Sequence, residues 1–384
     1  MLKVILNVFF HEPYPFRPVN VFDPFSIHAL FDETEMRSRV ETEAAYRFRP
    51  VCKKLVRLCA DHANEFKVVV SLSGCALESF KRYCPDILQM LEKLSASGCV
   101  EFTGETYYHS ASSLFDIAEF REQVFMHAEQ IRRMFGKDPF IFRNALFSYN
   151  EELRDVLQCF RHFGAIFTES GKKSSVPAPF ALYRAGENET ILLLNSWNFS
   201  YYINPYGYEQ IPEGDIFSMM LRLFPAEDRE EDLYFYVFLE SVLTAGTVWE
   251  RVVENASMHL SKRKDISFVI PSEILKEVED RKAALPVFET GKPAGNTREI
   301  SLLLNDLQRS ASETLYSIIR KIRKEGACDI LSAVRRLTSV EHLLSMAPRS
   351  DPCPESDKST FGPCSPEEAY SVFLTTLARI EEAL

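Results

Sequence analysis

Tryptophan is scarce in this chain of 384 residues, with 2 copies against 30 Phe and 15 Tyr. Positive charge is also short: 44 Lys and Arg face 55 Asp and Glu, for a formal net charge of −11. With no basic tract to neutralise a phosphate backbone, a nucleic-acid partner is not expected. No apolar run reaches the length that crosses a bilayer, so no membrane partner is expected either. The opening run, residues 1–10, is short, no small-residue cleavage pattern follows it, and it reads as a first buried strand. Neither GxGxxG nor GxxxxGK followed by Ser or Thr occurs, and a serine nucleophile elbow is missing. The nine cysteines, at 52, 59, 75, 84, 99, 159, 328, 353 and 364, form no CxxC pair, and most fall inside apolar patterns. A reducing, cytoplasmic setting fits that usage, which makes the acceptor-like triplets at Asn188, Asn198 and Asn255 coincidences of composition.

What is present is ordinary globular material, 46% hydrophobic and 26% charged. Short β-rich runs at 3–10, 66–72, 99–103, 139–143, 165–168, 191–195, 233–239 and 266–270 alternate with helical patterns. The helical stretches are 49–62, 86–97, 117–135, 151–163, 215–223 and 273–281. Most of the runs are continuously apolar, as in strands buried on both faces. Strand–helix repetition at this spacing predicts parallel β/α units, and polar residues at nearly every strand end favour a closed or nearly closed barrel. After about residue 285 a Gly/Pro-containing connector leads into helical periodicity at 300–325, 330–346 and 366–383. The expected division is a barrel over 1–285, a connector over 286–298 and a helical bundle region over 299–384.

The strand ends carry His11-Glu12, Ser73-Gly74, Gly104 to His109, Arg143-Asn144, Glu169, Glu240 and Pro271-Ser272-Glu273. Converging polar groups of this kind make a pocket rim, although each one singly reads as a helix cap or loop hydrogen bond. Ser272-Glu273 also reads as a helix start. His11 and His109 lack HxxxH or HExxH spacing and an evident third ligand, so neither metal nor cofactor is expected. Gly74 and Gly104 are expected to permit tight turns. Acids preceding bases at helical spacing along 117–135 suggest an outer, solvated helix, with His127 structural. Glu12, Glu105, Glu169, Glu240 and Glu273 leave a carboxylate pair conceivable, since two such groups roughly 5 to 5.5 Å apart run retaining glycoside hydrolysis. Trp197 with Tyr201, Tyr202, Tyr206 and Tyr208 forms an aromatic loop that suits either a sugar platform or ordinary packing.

Several of these stretches resemble glycoside hydrolase family 57, the α-amylase and α-glucan-modifying family. His11-Glu12-Pro13-Tyr14 is similar to its His-Gln-Pro-Tyr motif, with Glu for Gln. Ser71-Leu72-Ser73-Gly74 with Glu78, Gly98-Cys99-Val100-Glu101, Glu105 to Ser110, Glu119 to Gln123 and Phe142-Arg143-Asn144 also resemble the family. So do Pro271-Ser272-Glu273, Asn305-Asp306 with Gln308, and Arg336-Leu337 to Glu341-His342 with Met346, the later ones matching its amylase-like branch. The resemblance implies an α/β fold: an incomplete seven-stranded (β/α) barrel followed by a C-terminal helical region. It also implies retaining chemistry on α-glucan linkages, with a Glu nucleophile, an Asp general acid/base and no metal.

At both catalytic positions the chain departs from that pattern. The nucleophile position after Phe142-Arg143-Asn144 holds Leu146, and the acid/base position, by a looser match over 236–240, holds Phe238. Losing a general acid/base costs about 10²- to 10⁴-fold, and losing the nucleophile removes the covalent route. Three readings follow. The first is a non-hydrolytic protein that binds an α-glucan or malto-oligosaccharide through His11, Glu12, Glu105, His109, Arg143, Asn144, Trp197 and Glu240. The second is an active retaining α-glucan hydrolase or transglycosylase using a rearranged pair, Glu105 with Glu240 or Glu12. The third is a structural partner of another glucan enzyme.

Overall fold

The computed structural model describes residues 2–17, 26–27, 30–63, 65–145, 149, 151–160, 162–170, 182–184, 191–196, 217–218, 232–240, 252, 254–260, 266–281, 285, 305–347 and 365–384. Its centre is one twisted sheet. Strand β1 (Leu2–Phe10) pairs in parallel with β2 (Val68–Leu72) through its upper half and with β8 (Leu233–Glu240) along its length. From β2 the parallel order continues through β3 (Val100–Gly104), β4 (Ile141–Arg143), β5 (Ala165–Ser170) and β7 (Ile191–Ser196). A three-residue antiparallel strand, β6 (Leu182–Arg184), edges β7, and β9 (Ile266–Phe268) pairs with the lower end of β1. The ladder runs from β6 to β8 without a β7–β8 pairing among the described residues, so the barrel is incomplete.

Helices cover the outside of the sheet. In chain order the first six are α1 (Glu33–Glu43), α2 (Arg49–Asp61), α3 (Gly74–Tyr83), α4 (Pro85–Ala96), α5 (Ile117–Phe135) and α6 (Glu151–Gln158). A five-residue π-helical stretch, Ala44–Phe48, joins α1 to α2. Helix α7 (Pro271–Arg281) closes the sheet portion. The C-terminal region then adds α8 (Asp306–Glu325), α9 (Cys328–Arg335), α10 (Val340–Leu344) and α11 (Pro366–Glu382).

Period-two alternation sorts β1 cleanly. Leu2, Val4, Leu6, Val8 and Phe10 pack outward against the helix layer, with Phe10 against Phe48 and Phe80. Ile5 faces the barrel interior with Val69, Ile141, Phe167 and Tyr236. Asn7 lies on that side too, bonded to Ser71 Oγ at 3.0 Å, while the Tyr236 hydroxyl donates to Asn7 at 3.1 Å and Thr103 donates to Ser71 at 2.8 Å. These bonds satisfy a polar layer inside an otherwise apolar barrel. The same alternation brings Phe9 and His11, the next interior positions, to the mouth.

The helical region is tied to the barrel by charge as well as by apolar contact. Its core takes in Phe16, Leu30 and Phe31 from the connection after β1. Asn305 and Gln308 form a reciprocal capping box at the start of α8. Their side chains also donate to the carbonyls of Met346 (2.8 Å) and Leu343 (3.0 Å). Arg335 donates to the fully buried Glu119 of α5 at 2.8 and 2.9 Å, and Arg323 reaches the same carboxylate. Helix α5 is therefore an interface helix on this face rather than the solvated helix expected from its charge spacing.

The glycines of the strand ends serve close approach, not turn geometry. Neither Gly74 nor Gly104 has a positive φ; a Cβ on Gly74 would overlap the ring of Tyr107, and one on Gly104 the ring of Phe163. All seven described cysteines are free thiols. Among the described residues no helix is long and apolar enough to cross a membrane.

Candidate functional site

Four strand ends and one short helix meet at the barrel mouth. Strand β1 delivers Phe9 and His11, the segment after β3 delivers Glu105 and His109, β4 delivers Arg143, β8 delivers Phe238, and α10 delivers Glu341. Arg143 is 1% exposed and Glu105 fully buried, with their guanidinium and carboxylate 2.6 Å apart. The guanidinium also stacks over the Phe9 ring at 4.0 Å and lies 5.2 Å from the centre of Phe238. Phe9 and Phe238 are themselves 5.7 Å apart, so an aromatic pair and an ion pair share one arginine.

From Glu105 the network continues through two histidines. His109 Nδ1 stands 3.2 Å from Glu105 Oε2, and the two imidazole rings lie 4.8 Å apart. His11 Nδ1 is 2.8 Å from Ser73 Oγ, and its Nε2 is 3.0 Å from Glu341 Oε1. Glu341 Oε1 lies 3.9 Å from His109 Nε2. His109 adopts φ 54°, a left-handed backbone uncommon outside glycine, and its chain is held there by the bond from its N–H to Thr106 O (3.0 Å) and by the Val340 N–H donating to its carbonyl (3.1 Å).

These contacts fix charge. Burial alone would push the Glu105 carboxyl up, but Arg143 and His109 outweigh it and hold it down at about 2. Burial works against Glu341 in the same way, and His11 and His109 hold it well below the usual carboxylate range. For His11 the penalty of burial is more than offset by Glu341, Glu105 and Glu12, and its imidazolium is favoured. His109 goes the other way: burial, with His11 and Arg143 nearby, favours its neutral ring. Glu12 is pushed up to about 7 by burial and by Glu43, against the pull of Arg39, His11 and Arg47.

Of the expected site residues, the structure thus brings together His11, Glu105, His109 and Arg143, with Phe238 over the arginine, whereas Glu12, next in sequence to His11, interacts chiefly with Glu43, Arg39 and Arg47 of the helix layer. Asn144 follows Arg143 and donates to Ser113 Oγ at 2.9 Å. Leu146 and Trp197, with the Tyr201–Tyr208 loop, lie outside the described residues, as do the side chains of Glu169 and Glu240. Glu273 belongs elsewhere: it starts α7 and sits 3.7 Å from Lys67, just ahead of β2, at the opposite end of the strands from the mouth. His127 is buried and structural, its Nε2 2.8 Å from the Leu72 carbonyl and its Nδ1 accepting from the Glu105 N–H at 3.4 Å. Among the described residues no group of three His, Cys, Asp or Glu side chains could hold a metal ion.

Sequence reasoning did not assign roles to Phe9 and Glu341. Phe9 sits inside an apolar run that gives no sign of a cation stacked upon it. The motif containing Glu341 was legible, but nothing in it pointed back to His11. Other motif residues prove to be joinery: Tyr14 donates to Glu78, Arg336 donates to the same carboxylate at 3.0 Å and stacks on Tyr14 at 4.5 Å, and the Tyr108 hydroxyl completes the cluster at 3.4 Å.

The sequence model of glycosyl hydrolase family 57 matches residues 8–286, which contain every barrel strand but the first residues of β1. The chain belongs to glycosyl hydrolase family 57. A Methanocaldococcus jannaschii protein named "Putative alpha-amylase" is 25% identical over 334 residues, spanning 85% of this chain and 71% of that protein. Among solved structures, the family 57-type branching enzyme of Pyrococcus horikoshii superposes with a TM-score of 0.65 at 13% identity, over 99% of this chain and 88% of its own. The 4-alpha-glucanotransferase of Thermococcus litoralis gives a TM-score of 0.57 at 16% identity; this chain spans 46% of its length, and 88% of this chain is covered. At these identities the two structures establish the shared fold. Family 57 membership links the chain to carbohydrate, α-glucan metabolism.

Proposed function

We propose that this family 57 member is a cytoplasmic protein that binds α-glucan chains at the barrel mouth without hydrolysing them. The observation that carries this reading is the ring of Phe238, packed 5.7 Å from Phe9 beside Arg143 where the family resemblance calls for an aspartic acid. A phenyl ring can neither donate a proton to a leaving oxygen nor take one from an attacking water, the two tasks of the acid/base carboxylate. Leu146, at the nucleophile position, is equally inert by its chemistry. The nearby carboxylates are committed elsewhere: Glu105 to Arg143 and His109, Glu341 to His11. With both family carboxylates gone, the described charges of the mouth balance near neutrality, which suits an uncharged sugar better than a developing cation. In this reading His11, Glu12, Glu105, His109, Arg143, Asn144, Trp197 and Glu240 form the binding set.

A second reading would pair Glu12, held up to about 7 chiefly by burial, as acid with Glu105 as base. A hydrolase or transglycosylase with this rearranged pair would have to free Glu105 from Arg143. Calorimetric titration of the full chain with maltoheptaose tests the binding reading. Saturable heat abolished by Arg143→Met supports it. No heat at millimolar sugar removes it and favours a scaffold for another glucan enzyme.

A further inference from the structure

The helical region inserts a charged side chain into the barrel mouth. The backbone of Ser339 bridges to Ser110, and the Val340 N–H donates to the His109 carbonyl at 3.1 Å, so the start of α10 is stitched to the segment after β3. Glu341 is thereby held 3.0 Å from His11 Nε2 and 3.9 Å from His109 Nε2, with the Ser339 hydroxyl donating to its other oxygen. On the far side of His11, Nδ1 faces Ser73 Oγ at 2.8 Å, and that oxygen also accepts the Ala76 N–H at 3.2 Å. Nε2 of His11 thus faces a carboxylate and Nδ1 a hydroxyl that can donate or accept, so a charged ring paired with Glu341 fits these contacts.

The titratable and charged groups facing this pair come from every element around it. They are Glu12 next in sequence to His11, Cys75 at the start of α3, Glu105 and His109 after β3, Arg143 on β4, and His342 next to Glu341. Arg143 contributes one positive charge, and Glu105 with Glu341 two negative ones. Glu12 apart, a single imidazole proton brings this set to zero; Glu105 already has Arg143 at 2.6 Å, and Glu341 stands 3.0 Å from His11 against 3.9 Å from His109, which places the proton on His11.

We propose that Glu341 is a positioning residue of the barrel-mouth site, holding His11 charged and His109 neutral, so that the two histidines keep these states only while the helical region is docked. The consequence for ligand binding rests on the α-glucan reading above; the histidine states do not.

The test is side-chain NMR titration of the histidines in the full chain, for the wild type, Glu341→Gln and Glu341→Asp, with maltoheptaose affinity measured on the same samples. Glu341→Gln is expected to lower the His11 titration midpoint by about one pH unit or more. Glu341→Asp should restore part of it, and affinity at pH 7 should fall roughly tenfold in Glu341→Gln. A folded Glu341→Gln variant with an unchanged His11 midpoint overturns the proposal, even if affinity falls. Should Glu341→Gln not fold, the wild-type titration decides: a His11 midpoint above that of His109 supports the proposal, and the reverse order overturns it. A lowered midpoint in a chain whose wild type binds no maltoheptaose supports the positioning role and counts against the glucan reading alone.

Discussion

The guanidinium of Arg143 lies 5.2 Å from the centre of the Phe238 ring and 2.6 Å from the carboxylate of Glu105. One cation is thus shared between aromatic faces and a buried acid, and Glu105 is its counter-charge among the described residues.

Replacing Arg143 by Met should therefore strand Glu105. Breaking a buried ion pair from one side costs about 3 to 5 kcal/mol, because the remaining charge keeps its desolvation penalty. Urea unfolding at pH 7 is expected to show a loss of that order for Arg143→Met. The double variant Arg143→Met/Glu105→Gln should recover a good part of it, since both charges are then gone. Additive losses in the two single variants would show that the pair is not coupled.

Glu12 gives a pH-dependent prediction with a definite sign. Its folded value of about 7 lies above its ordinary 4.5, so between those values the folded chain holds a proton that the unfolded chain has lost. Stability from this group is therefore lost as pH rises from about 4.5 to about 7. Glu12→Gln carries a neutral side chain of the same shape at every pH. It should match the wild type at pH 4.5 and exceed it by on the order of 1 to 3 kcal/mol at pH 8. The family motif has Gln at this position, and a protonated Glu12 is its closest chemical equivalent. Thermal unfolding at the two pH values reads the difference; equal gains at both would place the effect elsewhere.

Gly74 carries a packing prediction. A methyl group there overlaps the Tyr107 ring, itself packed on Tyr108 at 4.8 Å and on Cys75. Gly74→Ala is expected to destabilise by about 1 to 3 kcal/mol, the usual cost of overpacking. In a Tyr107→Leu background the same change should cost less. An equal cost in both backgrounds would point to the helix start rather than the ring.

Much of the fold was legible because its signals are local. Most strands of the parallel sheet show as largely apolar runs, and the observed bounds of α5 coincide with its helical pattern. Helix α1 was not legible, since only Met36 and Val40 of its eleven residues are buried and two positions make no stripe. Helix α3 hid behind its motif, with Gly74 and Cys75 in its first turn. Strand β6, with three residues, is too short to show a period. At the site, alternation along β1 predicts that His11 faces inward. Nothing local predicts the stacking of Arg143 on Phe9, the left-handed backbone of His109 or the arrival of Glu341 from the far end of the chain. Those depend on which strand ends become neighbours and on how the helical region docks.

The proposed loss of hydrolysis at the barrel mouth is tested most directly by the release of new reducing ends from maltoheptaose, followed over long incubation at high protein concentration and compared with a Glu105→Gln variant. No release above a protein-free control is expected in either sample. Sustained release by the wild type that disappears in Glu105→Gln would contradict the proposal and establish a working carboxylate at this site.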